Sequence, residues 1–115
     1  MSKNERNYNL YLADIKDCIK KIEQYTKNLT FEKFKNNEMI IDAVVRNIEI
    51  IGEASANIPV KIKAQYPQLP WSKIIGMRNK VVHEYFGVDV EILWGTIQKR
   101  IPELKREIGR VKKLF

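Results

Sequence analysis

Cysteine is nearly absent. Cys18 is the only one, so no disulfide can form within a chain and no thiolate metal site can be built from it. A lone cysteine in a helical segment reads as a small core residue. Glycine and proline are scarce, at 5 and 4 in 115 residues, which leaves little loop-forming material and favours long helices. Histidine occurs once, at position 83, so a single chain supplies only half of a two-histidine acid–base pair. No segment approaches the ~20 consecutive apolar residues of a membrane helix. The opening residues, Met1-Ser2-Lys3-Asn4-Glu5-Arg6, have no apolar run behind them, so no signal peptide is expected and the predicted location is cytoplasmic.

What is abundant is ordinary apolar and charged material, 44% and 30% of the chain. That composition suits a soluble globular protein, and the length suits one domain over residues 1–115. A helical domain this small leaves much surface uncovered, a problem often met by dimerisation. Lys and Arg number 21 against 14 Asp and Glu, a net charge of +7. The excess suits a polyanion such as RNA, DNA or an anionic membrane without choosing among them. On charge alone, a lysine-rich solvated surface is the favoured reading.

The apolar spacing predicts helices throughout. Leu12, Ile15, Ile19 and Ile22 mark one face of a helix over about residues 8–28. A short helical turn over 31–34 follows, and Asn36-Asn37 reads as a break or an N-cap. The next helix, about 38–56, is apolar nearly all round, except for a stripe of Asp42, Arg46, Glu49 and Glu53. Such a helix is buried on most sides, so its stripe is expected to face a solvent seam, a partner subunit or an active cleft. Asn57-Ile58-Pro59 breaks it, with a short helix over 59–65 and a two-proline connector over 66–70. A helix from Trp71 to about His83 comes next, with Gly87 ending that region. Asp89 is predicted to cap a last helix, from 90 towards 113, along the seam Leu93, Ile97, Ile101, Leu104, Ile108 and Val111. Pro102 lies within that seam and is expected to kink it. No stretch alternates in the strand manner. The fold class is therefore all-α, an antiparallel bundle of four to five helices.

The chemistry is concentrated in Arg78-Asn79-Lys80-Val81-Val82-His83-Glu84-Tyr85. Asn79 and His83 are four apart and share a helix face, so the amide could orient the imidazole. Arg78 and His83 fall about 140° apart on an ideal helix. For both to touch one substrate, the helix must end near His83 or a second copy must complete the site. An imidazole titrates near neutrality and can give and take protons. A guanidinium can clamp a phosphate and stabilise charge that develops on it. Together they fit attack by an RNA 2′-hydroxyl on its own 3′-phosphate. Residue chemistry alone favours the blander reading, a hydrogen-bonded helix terminus.

Arg-x-x-x-x-His-x-Tyr at a helix end resembles the signature of HEPN ribonucleases, and of the HepT toxins in particular. The likeness extends to the run Ala43–Ala54, to Tyr66–Asn79, to Val82–Asp89, and to Leu93-Trp94 and Ile101-Pro102-Glu103-Leu104, in order and over most of the chain. The resemblance implies a HEPN-like α-helical homodimer whose two Arg–His sites meet in a cleft at the interface. It implies a metal-independent RNase with no cofactor, acting on tRNA or mRNA, with Arg78 and His83 catalytic and Asn79, Tyr85 and Glu53 supporting. It also implies a minimal nucleotidyltransferase antitoxin as partner, of the type VII toxin–antitoxin arrangement, which inactivates the toxin by AMPylation of Tyr85. An adduct there would place negative charge and bulk beside Arg78.

Two other readings compete. One is a non-catalytic dimeric accessory subunit that presents nucleotide or substrate to the nucleotidyltransferase; the other is a purely structural helical dimer. The polar stripe reads equally as a solvated seam with ion pairs Asp42–Arg46 and Arg46–Glu49, or as Glu53, with Arg46, orienting Arg78. Trp71, Trp94, Tyr66 and Phe86 read as core or interface anchors rather than base-stacking platforms. The basic tail of Lys99, Arg100, Lys105, Arg106, Arg110, Lys112 and Lys113 could hold RNA phosphates or serve the helix C-terminus.

Overall fold

A computed structural model of the chain describes the backbone of residues 3–67, 69, 71–84 and 89–110, and side chains within 9–80 and 89–110. Among the described residues there is no strand, and the fold is an all-α bundle. The helices are α1 (Lys3–Thr26), α2 (Phe31–Lys35), α3 (Glu38–Asn57), α4 (Val60–Lys63), α5 (Trp71–Glu84), α6 (Val90–Gly95) and α7 (Ile101–Gly109), with a π-helical turn, Thr96–Arg100, joining the last two. None of the helices is long and apolar enough to cross a membrane.

Local chemistry sets the ends. Asn28 has φ of 61°, a left-handed conformation that asparagine tolerates, and it turns the chain out of α1. Thr30 caps α2 by accepting from the Lys33 amide at 3.2 Å. Asn37 does the same for α3, from Ile40 N at 3.0 Å, and Asp89 for α6, from Ile92 N at 3.1 Å. Each cap satisfies one of the orphan donors of a helix start.

Helix α3 is the centre of the bundle, packed on α1 on one side and on α5 on the other. Leu12, Ile15, Cys18, Ile19 and Ile22 of α1 meet Ile41, Val44, Val45, Ile48 and Ile51 of α3 in the buried core. Burial of each such aliphatic side chain contributes roughly 1.5–3 kcal/mol before entropy is counted. Cys18 lies in this core, and burial pushes its thiol pKa up. Phe34 is fully buried beneath Trp94, their rings 5.0 Å apart, which ties α2 to α6.

In the last helix the backbone widens one turn before Pro102, over Thr96–Arg100, and the Ile101 amide donates to Thr96 O, five residues back. Pro102 then sits in the first turn of α7, where a missing N–H costs least. The wider turn also fits the spacing Leu93, Ile97, Ile101, whose steps of four outrun an α-helical turn of 3.6 residues. All three stay buried.

Candidate functional site

The site is built on α5 where it crosses α3. Trp71 anchors the start of α5: its indole N–H donates to Tyr66 O at 3.1 Å, and Lys63 Nζ lies 5.9 Å from its ring centroid. Burial lowers the pKa of that lysine. Trp71 and Ile74 are buried and fix the helix on the core. Trp71 and Trp94 are therefore packing anchors, and Phe86 lies outside the described residues.

Two turns along α5, Arg78 lies directly over Gly52 of α3. A Cβ added at Gly52 would stand 2.6 Å from Cγ and Cδ of Arg78, and closer still to its Cβ. No side chain fits in that space, so Gly52 allows the arginine stem to lie flat on α3. The guanidinium is then held at two nitrogens. Its Nη1 donates to Glu53 Oε1 at 2.6 Å, and its Nε to Asn79 Oδ1 at 3.0 Å. The Nη2 end has no partner among the described residues. Arg78 is 21% exposed and Glu53 65%, so the pair adds at most about 1 kcal/mol to stability. Its effect is orientation: a planar donor group is fixed at two of its edges, and no described residue takes up the third.

The acidic stripe of α3 divides accordingly. Glu53 reaches across to Arg78, whereas Arg46 pairs with Glu49 within the helix at 3.6 Å and takes no part. The oxygen of Asn79 accepts from Arg78; the imidazole four residues on, which this amide was expected to orient, lies outside the described side chains. Neighbours one apart on a helix do not ordinarily face each other; the flat course of the arginine over Gly52 brings its Nε back to Asn79.

Helix α5 runs through position 83 and ends at Glu84, so His83 occupies its final turn, five residues beyond Arg78. The side chain of His83, together with Tyr85 and Gly87, lies outside the described residues. Among the described residues no three His, Cys, Asp or Glu side chains group as metal ligands would. The basic C-terminal segment is partly neutralised: Arg100 pairs with Glu103 at 3.4 Å, Arg110 with Glu107 at 3.3 Å, and Lys105 with Glu23 of α1 at 3.0 Å. Lys112 and Lys113 lie outside the described residues.

Gly52 is the member of this site that residue chemistry did not single out. The signal was present, a small residue in an otherwise bulky buried helix, one position before the acid that binds Arg78.

Comparison with known proteins agrees with the family resemblance. The chain is 43% identical over 109 residues, 95% of its length, to a Thermococcus cleftensis protein named "Probable ribonuclease HepT", of which 99% is covered. A "Putative RNase" of Methanocaldococcus jannaschii is 42% identical over 95% of this chain and 90% of its own. Another "Putative RNase", from Caldanaerobacter subterraneus subsp. tengcongensis, is 42% identical over 88% of this chain and 90% of its own. No solved structure matches the chain. Residues 15–111 match the model of one protein family, described as ribonuclease HepT-like. Spanning nearly all of the bundle, α5 included, that match shows that the chain belongs to the HepT-like ribonuclease family.

Proposed function

We propose that this protein is a metal-independent endoribonuclease, the toxin of a toxin–antitoxin pair, with Arg78 and His83 as its catalytic residues. The supporting observation is the arginine held over Gly52 by Glu53 and Asn79, one turn and a half before the only histidine. Membership of a ribonuclease family gives that arrangement its substrate class.

The reaction is transesterification within the RNA. The 2′-oxygen forms a bond to the adjacent phosphorus, the bond from phosphorus to the 5′-oxygen breaks, and a 2′,3′-cyclic phosphate and a 5′-hydroxyl result. His83 takes the 2′-hydroxyl proton or delivers one to the leaving oxygen, the two roles in general acid–base catalysis that an imidazole can fill. Arg78 stabilises the charge that develops on the phosphorane oxygens. The second proton transfer falls to water, to Tyr85, or to the histidine of a second copy. In this reading the protein acts as a homodimer with two sites meeting in one cleft. A minimal nucleotidyltransferase partner silences it by attaching AMP to Tyr85, setting phosphate charge beside Arg78.

Incubation of purified protein with total tRNA in EDTA tests the reading. Cleavage products ending in 2′,3′-cyclic phosphate are expected, lost in His83→Ala and in Arg78→Ala while both variants stay folded. Wild-type cleavage by either variant, or a strict need for added magnesium, overturns it.

A further inference from the structure

Helix α5 has a second polar face. Lys73, Gly76, Met77 and Lys80 follow one another at spacings of three, one and three, so they share a side of the helix. Across from them stand Ile92 of α6 and Thr96 and Arg100 of the π-helical turn. Together these residues line a groove of ≈ 220 Å³. Three of them are cations and none is a carboxylate. Glu103 lies just beyond, pairing with Arg100 at 3.4 Å, and lines a smaller adjoining hollow with Lys73. Lys73 and Lys80 are exposed and have no ion-pair partner among the described residues.

Gly76 on the groove floor is unexplained by the fold. A Cβ there would meet nothing within 4 Å, so no described residue requires a glycine. Glycine inside a helix weakens it relative to alanine. Such a residue suits a position where something outside the chain approaches the backbone closely.

The groove also leads towards the catalytic end of α5. By helical register, position 83 lies one turn beyond Lys80 and two turns beyond Gly76 on this side of α5, whereas Arg78 faces α3, about 200° from Lys80 and from Gly76, so a strand in the groove rounds the end of the helix to reach it. Lys73 and Lys80 stand about 10 Å apart along the axis, from a rise of ~1.5 Å per residue. That separation suits successive phosphates of a strand better than a single phosphate.

We propose that this groove is an RNA-strand site flanking the scissile phosphodiester: Lys73, Lys80 and Arg100 neutralise backbone phosphates, and Gly76 lets the strand lie against the helix. The proposal rests on the ribonuclease reading for its substrate class. The groove's own lining, three cations and no carboxylate, favours a polyanion over the alternative occupant, a second copy of this chain, which the oligomeric state in the test below reads.

The test measures binding of a short single-stranded RNA of mixed sequence to full-length protein carrying His83→Ala, over 50–200 mM salt. Each phosphate that a protein neutralises on a single strand contributes about 0.7 to the log–log salt slope. The added pair Lys73→Gln and Lys80→Gln should reduce the slope by about 1.4 and weaken binding at least tenfold at low salt. Arginine at both positions should restore the slope. Gly76→Ala should weaken binding without lowering thermal stability. In proteins with His83 intact, the glutamine pair should raise KM and leave kcat at saturation near wild type. An unchanged slope and affinity in the glutamine pair overturns the proposal, as does an altered oligomeric state with an unchanged slope. If His83→Ala still cuts RNA while the slope falls as expected, the catalytic assignment fails and the groove stands.

Discussion

The stem of Arg78 occupies the volume that a side chain at position 52 would need. Gly52 and Arg78 are on different helices, α3 and α5, and their contact sets how closely those helices approach. Gly52→Ala should therefore push α5 outward or swing Arg78 off its seat. Overpacking of this kind costs about 1–3 kcal/mol, offset by roughly 1 kcal/mol from better helix propensity. A lower Tm with RNA cleavage reduced at least tenfold is expected. A variant with wild-type Tm and wild-type cleavage would show that the two residues do not touch.

Glu53→Gln keeps the shape of the partner and removes its charge. Because the ion pair is largely exposed, stability should change by less than about 1 kcal/mol. RNA cleavage should fall by more than that, mainly in kcat, since the guanidinium loses one of its two anchors. Unfolding in urea and steady-state kinetics on one RNA separate the effects. Equal, small changes in both would remove the orienting role assigned to Glu53.

Tyr85→Phe removes the hydroxyl that AMPylation requires and leaves the ring. Cells expressing it should arrest growth as wild type does, yet gain no relief from a co-expressed nucleotidyltransferase partner. Relief as complete as with wild type would rule out Tyr85 as the point of control.

Cys18 is 4% exposed, and its thiol pKa is raised chiefly by burial, against a smaller opposing pull from Lys21. A thiol that is both shielded and protonated reacts slowly. Alkylation at pH 8 should leave the native protein unmodified and go to completion in denaturant. Stoichiometric labelling of native protein would contradict the burial of this residue.

The caps and the apolar seams are legible in the sequence because they are local. Asn37 and Asp89 each stand just before a periodic run, and both cap as their position suggests. The stripe on α3 is legible for the same reason, and its last member does meet Arg78. Less can be seen where distant segments meet. The place of Gly52 depends on a contact 26 positions away in the chain, which no spacing rule anticipates. Lys73 and Lys80 look like any solvated lysines until Arg100 is brought opposite them. Pro102 is visible in sequence, whereas the wider turn that precedes it is not.

That wider turn gives the last helix an unusual tolerance to changes of length. A π-helical turn holds one more residue than the α-helical turn it replaces. Excising Gln98 would leave an ordinary helix in which Leu93, Ile97, Leu104 and Ile108 still face inward, so the bundle survives the deletion. Arg100, four residues before Leu104 on the same segment, would keep its register with them and stay on the wall it shares with Thr96. The extra residue thus adds little either to the interior or to the groove, and both are expected to outlast its removal.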